Sequence, residues 1–174
     1  MTNYSWAERH QQLYQKSVLQ YEAGGRDAAS FFSTEEVEFL RSIGATAMEL
    51  YDYAEDASEL SCDTALLITS ARRDYFLSVL GGQHSATMVR EFPARDAELS
   101  GIAWLPRLIV KAQARLRGEL APELMYCCGG DRKFFKEYDI HPADFLRVVW
   151  AADGDHAKIL DYVNSRRQAK TSAA

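Results

Sequence analysis

The sequence has 174 residues, 47% of them apolar, and 20 Lys plus Arg against 25 Asp plus Glu give a formal net charge of −5. This length allows a real core in one domain or two small ones, while the acidic balance argues against a nucleic-acid-binding protein. No apolar run approaches the roughly 20 residues that span a bilayer, and the first residues do not resemble a signal peptide. The three cysteines do not form a disulfide framework, so we expect a cytoplasmic protein that contacts no membrane.

The N-terminal region predicts two amphipathic helices. Residues 4–23 repeat apolar side chains at helical spacing and are followed by a Gly-Gly pair, which favours a helix end. Ser33 stands three residues before Glu36, the spacing of a capping box, and Gly44 closes this second helix. Both helices would pack through their apolar faces.

Acidic side chains mark the third predicted helix. Four carboxylates, which we call the acid file, fall at i, i+3, i+4 and i+7 and would share one helical face. They are Asp52, Glu55, Asp56 and Glu59. The opposite face of this segment is apolar and can pack on a core.

The next segment, residues 64–80, is apolar nearly all round except for Arg72, Arg73 and Asp74. Its length favours a buried helix over a short buried strand. A buried guanidinium requires an acceptor, because desolvation of an unpaired charge is unfavourable by several kcal/mol. We therefore predict that the two arginines meet the acid file.

This meeting of charges has two interpretations. In a ligand site, Arg72, Arg73 and Tyr75 would hold an anionic substrate. Asp52 or Glu55 would then act as the catalytic acid or base. Alternatively, the same side chains form a structural salt-bridge network between two helices.

Residues 83–100 have no clear periodicity and include Pro93, so they predict a linker or irregular loop. This loop would separate an N-terminal helical subdomain at 1–82 from a C-terminal one at 101–167, with a frayed tail at 168–174. The whole pattern predicts an all-α protein, a compact bundle of about seven helices or two small helical subdomains.

The first predicted helix of the C-terminal half carries a basic stripe. Arg107, Lys111 and Arg115 repeat at i, i+4 and i+8, opposite an apolar face, with Pro106 in the first turn and Gly118 past the end. The stripe is typical of a solvated helix face. Two alternatives remain, that Arg107 holds an anion or that a protein partner docks on the stripe.

Several C-terminal motifs resemble those of one family. They are Trp104-Leu105-Pro106-Arg107 with Lys111 and Arg115, Gly118-Glu119-Leu120, Tyr126-Cys127-Cys128-Gly129-Gly130-Asp131, Phe134-Phe135 and Phe145. On these motifs, residues 99–167 resemble the bacterial family called domain of unknown function 5069. Its loop reads roughly Tyr-Asn-Cys-Pro-Leu-Asp, so Cys128 and Asp131 match while Cys127, Gly129 and Gly130 depart. The resemblance implies a small helical unit and carries no established reaction.

Cys128 lies in a glycine-containing loop just before Asp131, which is predicted to be the N-cap of the next helix. A thiolate near a helix N-terminus is stabilised by the positive end of the dipole, so Cys128 and Asp131 are candidate catalytic residues. The alternative is a buried cysteine that packs as a small apolar side chain. No CxxC or Glu-x-x-His motif occurs, so no metal site is predicted.

The leading functional hypothesis is a small helical enzyme, or a ligand-binding relative, that acts on a small anionic metabolite. Arginines would hold the anion, and a carboxylate or Cys128 would supply the chemistry. The alternative is a non-enzymatic helical adaptor or accessory subunit that binds a protein partner. A homodimer, any cofactor and the reaction class are left open by the sequence.

Overall fold

The structure, a computed structural model, describes residues 4–173, with side chains through residue 169. The predicted all-α class is confirmed, because 62% of the protein is helical and the described residues form eight α-helices with one pair of two-residue strands. The helices are α1 (Trp6–Glu22), α2 (Thr34–Ser42), α3 (Ala47–Glu55), α4 (Cys62–Ser78), α5 (Leu105–Arg117), α6 (Gly129–Tyr138), α7 (Pro142–Ala152) and α8 (His156–Ala173). Within the described range, no helix is both long and apolar enough to cross a bilayer.

The chain separates into two compact units, Met1–His84 and Ser85–Ala174. Most of the segment predicted as a linker therefore lies in the C-terminal unit. Its backbone is irregular, but it is tied to that unit by a bridge between Val89 and Leu120. Strand β1 (Glu98–Leu99) then pairs antiparallel with β2 (Ile102–Ala103) just before α5.

Helix α8 continues through Ala173, so the backbone of residues 168–173 is helical. The frayed tail expected at 168–174 stays a prediction. Ala174, the last residue of the predicted tail, lies outside the described residues.

The core of the N-terminal unit forms where α1 packs against α3 and α4, and a short 3₁₀ helix, Ala28–Ser30, packs against α3. Its buried cluster comprises Leu13, Phe31, Phe32, Phe39, Leu40, Ile43, Ala45 and Leu50. The capping box predicted from Ser33 and Glu36 is present, with both reciprocal hydrogen bonds formed. Thr46 and Glu49 form a second box that starts α3. These caps fix where the helices begin and so which faces reach the core.

The prediction that the acid file shares one helical face is wrong at its C-terminal end. Helix α3 ends at Glu55, Asp56 is its C-cap, and Glu59 lies in the following turn. The helix stops here because Leu60, only 1% exposed, enters the core and its carbonyl accepts a 2.7 Å hydrogen bond from Tyr14 Oη. A continued helix would carry Leu60 away from that contact.

The C-terminal unit packs α5 against α7, with α6 and α7 both against α8. Its interior is apolar and rich in aromatic rings, with Leu105, Leu108, Ile109, Phe134, Phe135, Phe145, Leu146, Ile159 and Val163 all buried. Gly118, at φ 70°, ends α5 as predicted.

The predicted solvated basic stripe is wrong for two of its three members. Lys111 is 3% exposed and Arg115 is 1% exposed, although both lie on the polar side of the sequence pattern of α5. Burial lowers the pKa of Arg115 to about 10, and Tyr126 acts in the opposite direction. Both side chains are buried because other segments of the C-terminal unit pack on the polar side of α5 as well as on its apolar face.

Candidate thiol site in the C-terminal unit

The loop before α6 presents two adjacent cysteines in different environments. Cys127 adopts a left-handed backbone, at φ 71°, and its side chain is buried. Cys128 is extended, at φ −63° and ψ 172°, is the N-cap of α6, and is half-buried. The turn at Cys127 therefore places the half-buried Cys128 at the start of a helix.

Asp131 is not the N-cap that the sequence predicted, because α6 begins two residues earlier, at Gly129. Its carboxylate points back across the first turn, where Oδ2 accepts a 3.0 Å hydrogen bond from the Cys127 amide. Asp131 is completely buried. The side chain therefore fixes the loop from inside the helix.

Two further side chains, one just before α5 and one on it, donate hydrogen bonds to this carboxylate. Trp104 Nε1 donates to Asp131 Oδ1 at 2.9 Å, and Lys111 Nζ donates to Asp131 Oδ2. The Lys111 side chain is only 4% exposed, so the ion pair is dry. A buried pair of this kind is tolerated because both charges have several hydrogen-bond partners.

The same ammonium group also contacts the thiol, since Lys111 Nζ lies 3.3 Å from Cys128 Sγ. One cation is thus shared between the Asp131 carboxylate and the Cys128 sulfur. The Cys128 sulfur therefore lies at the N-terminus of α6 with a buried ammonium group as its neighbour.

Gly130 allows the Trp104 ring to approach the backbone of α6 closely. A Cβ atom built on Gly130 would lie 2.5 Å from Cζ2 of Trp104, so the indole ring packs directly on the helix backbone. Trp104 itself has a left-handed backbone, at φ 70°, immediately before α5. This turn and the missing side chain at Gly130 together bring the indole N–H to Asp131.

Two arginines flank the site. Arg132 Nη1 donates to the Cys127 carbonyl at 2.9 Å. Arg107, predicted to hold an anion, donates from Nη1 to the Pro93 carbonyl at 2.9 Å, and its guanidinium lies 5.8 Å from the Trp104 ring. Arg107 thus lies beside one of the residues that coordinate Asp131.

The surroundings of Cys127 and Cys62 raise the pKa values of both thiols. Burial, followed by the charge of Asp131, raises the pKa of Cys127 to about 12. Burial and the neighbouring Asp63 raise the pKa of Cys62, although a hydrogen bond with Gln15 opposes them. Cys62 is the first residue of α4, so it too lies at a helix N-terminus.

The candidate residues of the N-terminal unit lie on helices α3 and α4. Asp52 is half-buried on α3, and Glu55, at the end of that helix, accepts a 2.9 Å hydrogen bond from Tyr21 Oη. On α4, the guanidinium of Arg72 lies 5.0 Å from the ring of Phe76.

The remaining two candidates are also on α4. The guanidinium of Arg73 lies 4.8 Å from the ring of Trp6, and Tyr75 is half-buried. These contacts are compatible with a site or with a structural network, so the constellation predicted from Asp52, Glu55, Arg72, Arg73 and Tyr75 stays a prediction.

The environment of Asp52 makes the N-terminal unit pH-sensitive. Burial, together with the nearby charges of Glu55 and Asp56, raises the pKa of Asp52 from 3.8 to about 7. Because the folded state binds this proton more tightly than the unfolded chain, the contribution is fully stabilising below about pH 4 and is lost as the pH rises through 7.

We expect Asp52→Asn to increase the free energy of unfolding at pH 8 by about 1 to 2 kcal/mol, a value reduced for solvent access to the carboxylate. Urea unfolding of the full chain between pH 4 and 8 measures it, and the variant should lose part of the pH dependence. Glu38→Gln, a change at an exposed position of α2, should shift the unfolding free energy by less than about 0.5 kcal/mol. Equal pH profiles for wild type and Asp52→Asn would contradict the assignment.

Sequence reasoning nominated Cys128 and Asp131 but missed three side chains that complete the site: Trp104, Lys111 and Arg132. One signal was available, because Lys111 has Leu108 and Ala112 as near neighbours on the helix, both of which are completely buried. A lysine flanked in this way is a candidate for burial with a carboxylate partner.

The geometry defines a small all-α unit with one half-exposed thiol beside a buried Lys–Asp pair. Residues 91–174, the C-terminal part of the chain, match the sequence model of the family described as Domain of unknown function (DUF5069). The resemblance expected for residues 99–167 is thereby confirmed and extends further at both ends. No curated protein and no solved structure matches this chain.

Proposed function

We propose that the C-terminal unit is a small thiol-dependent enzyme, or a ligand-binding relative of one, that acts on a small anionic metabolite through Cys128. The observation that carries the proposal is the 3.3 Å contact between Lys111 Nζ and Cys128 Sγ. Reactive cysteines lie in partly exposed, electropositive surroundings, whereas structural cysteines are buried and inert. Cys128 has the first environment and Cys127 the second.

Each residue then has a defined role. Cys128 is the nucleophile: its sulfur forms a C–S bond with an electrophilic carbon of the substrate, the bond from that carbon to the leaving group breaks, the leaving group takes the electron pair, and the thiol proton passes to solvent. Lys111 contacts the sulfur, and Asp131 is a positioning residue that holds the ammonium against it. Trp104 fixes the second oxygen of Asp131, so the carboxylate cannot rotate away.

Alkylation by iodoacetamide, resolved by site with mass spectrometry, tests this proposal at pH 7.5. We expect Cys128 in the native protein to react at least about tenfold faster than Cys62, because the Cys128 sulfur contacts the Lys111 ammonium, whereas burial and Asp63 raise the pKa of Cys62. Cys127 should react only after unfolding, since it is buried. All three should react at similar rates in urea.

Two variants complete the test. Lys111→Met should slow Cys128 alkylation relative to wild type, while Cys62→Ser should leave it unchanged. A Cys128 rate no higher than that of Cys62 would remove the nucleophile and would favour the adaptor interpretation, in which the buried Lys–Asp pair serves only the fold.

A further inference from the structure

We propose that residues 85–97, which we call the surface strap, form a conformational device that controls the buried Lys111–Asp131 pair from outside. Docking of the surface strap holds the pair in place, and lifting of the strap loosens it. The inference goes beyond the proposed function, because it concerns a segment outside the thiol site and its test does not use the reactivity of Cys128.

The surface strap is attached to the C-terminal unit by contacts at the protein surface. Throughout 85–97, which the structure describes without a gap, each residue is exposed or half-buried. The Val89 amide donates to the Glu119 carbonyl at 2.7 Å, and Arg90 pairs with Glu123, both side chains being more than half exposed. Exposed ion pairs contribute little, and segments without buried side chains open locally well before the protein unfolds. The surface strap is therefore able to lift while the rest of the unit stays folded.

The later part of the surface strap lies on Arg107, in the first turn of α5. The Pro93 carbonyl accepts a 2.9 Å hydrogen bond from Arg107 Nη1, and the Arg107 guanidinium lies 5.3 Å from the centre of the Phe92 ring. The same guanidinium lies 5.8 Å from the centre of the Trp104 ring. Arg107 therefore connects the surface strap to the indole through two cation–π contacts.

From Trp104, further contacts lead to the buried pair. The indole packs on the backbone of α6 at Gly130, and its Nε1 donates to Asp131 Oδ1 at 2.9 Å. The other carboxylate oxygen, Oδ2, accepts hydrogen bonds from Lys111 Nζ and from the Cys127 amide. A continuous series of contacts thus joins an exposed segment to a buried ion pair.

Lifting of the surface strap removes two contacts of Arg107. Without the Phe92 ring and the Pro93 carbonyl, the guanidinium extends into water, and the Trp104 ring loses it as a neighbour. An indole with more freedom to move holds its hydrogen bond to Asp131 less firmly, so the carboxylate also loosens its hold on the ammonium. Contiguous packed groups transmit such a change when one of them has two states, which here are docked and lifted.

Hydrogen exchange followed by NMR tests this coupling in the full chain, because the Trp104 indole N–H and the Cys127 amide report on the buried end of the series. Phe92→Ala should raise both exchange rates by about two- to fivefold, the effect of one exposed cation–π contact. Phe92→Leu, which keeps apolar bulk but removes the ring, should raise them as well. Glu91→Ala, a change at the exposed neighbouring position, is the matched control and should leave both rates unchanged.

Amides of α7 are the reference for unfolding of the whole unit, and they should exchange at the wild-type rate in both Phe92 variants. In a Trp104→Leu background, Phe92→Ala should no longer change the Cys127 rate, because the series of contacts is already interrupted. Unchanged rates in Phe92→Ala, or equal acceleration of the α7 amides, would overturn the inference. If Phe92→Ala does not fold, Phe92→Leu decides by the same two outcomes.

Discussion

Replacing Lys111 by methionine should lower the free energy of unfolding of the C-terminal unit by about 3 to 5 kcal/mol, because it leaves the Asp131 carboxylate buried without its cation. Asp131 is completely buried, so water cannot take over from the lysine without opening the site. Methionine nearly preserves the volume of the aliphatic chain, which limits the contribution from lost packing.

Urea unfolding followed by alkylation of Cys127 measures this loss within the relevant unit, since Cys127 is protected in the native fold. The double variant Lys111→Met, Asp131→Leu should recover a substantial part of the stability, because it removes both buried charges. Lys158→Met, which disrupts an exposed pair with Asp155, should change stability by less than about 1 kcal/mol. If the Lys111 and Lys158 variants lose similar amounts of stability, the buried Lys111–Asp131 pair contributes no more to folding than the exposed Lys158–Asp155 pair.

The same ion pair shows where prediction from sequence ends. The apolar repeat of α5, its proline in the first turn and its terminal glycine were sufficient to predict the helix, because each is a local signal. Which segments cover the other face of α5 is not local. The burial of Lys111 depends on the loop before α6 folding back onto it, and no periodicity within α5 encodes that contact.

In the N-terminal unit, the sequence pattern predicts a longer helix than the structure contains. The spacing of the acid file is a correct helical pattern, but the helix ends before the pattern does. A buried leucine at position 60 and the carbonyl contact that it makes with Tyr14 determine the end of α3. Tertiary packing therefore overrides a favourable local spacing, and the four carboxylates do not share one face.

Replacing Gly130 by alanine should lower the free energy of unfolding of the C-terminal unit by about 1 to 3 kcal/mol, the usual range for overpacking. The added Cβ would lie 2.5 Å from Cζ2 and 2.7 Å from Cη2 of Trp104, so the indole must move. Alanine is the better helix former by about 1 kcal/mol, and the expected loss is the amount by which the clash exceeds that gain.

Gly129→Ala is the matched control, because a Cβ at that position meets only Arg132 Nη2, at 3.8 Å, an ordinary contact. It should leave stability unchanged or increase it by about 0.4 to 1 kcal/mol. Trp104→Leu should suppress the effect of Gly130→Ala, since a smaller side chain relieves the clash, giving a measurable coupling in a double-mutant cycle. If both alanine variants behave alike, the indole does not pack on Gly130. Its hydrogen bond to Asp131 then cannot hold the carboxylate that positions Lys111 against the thiol.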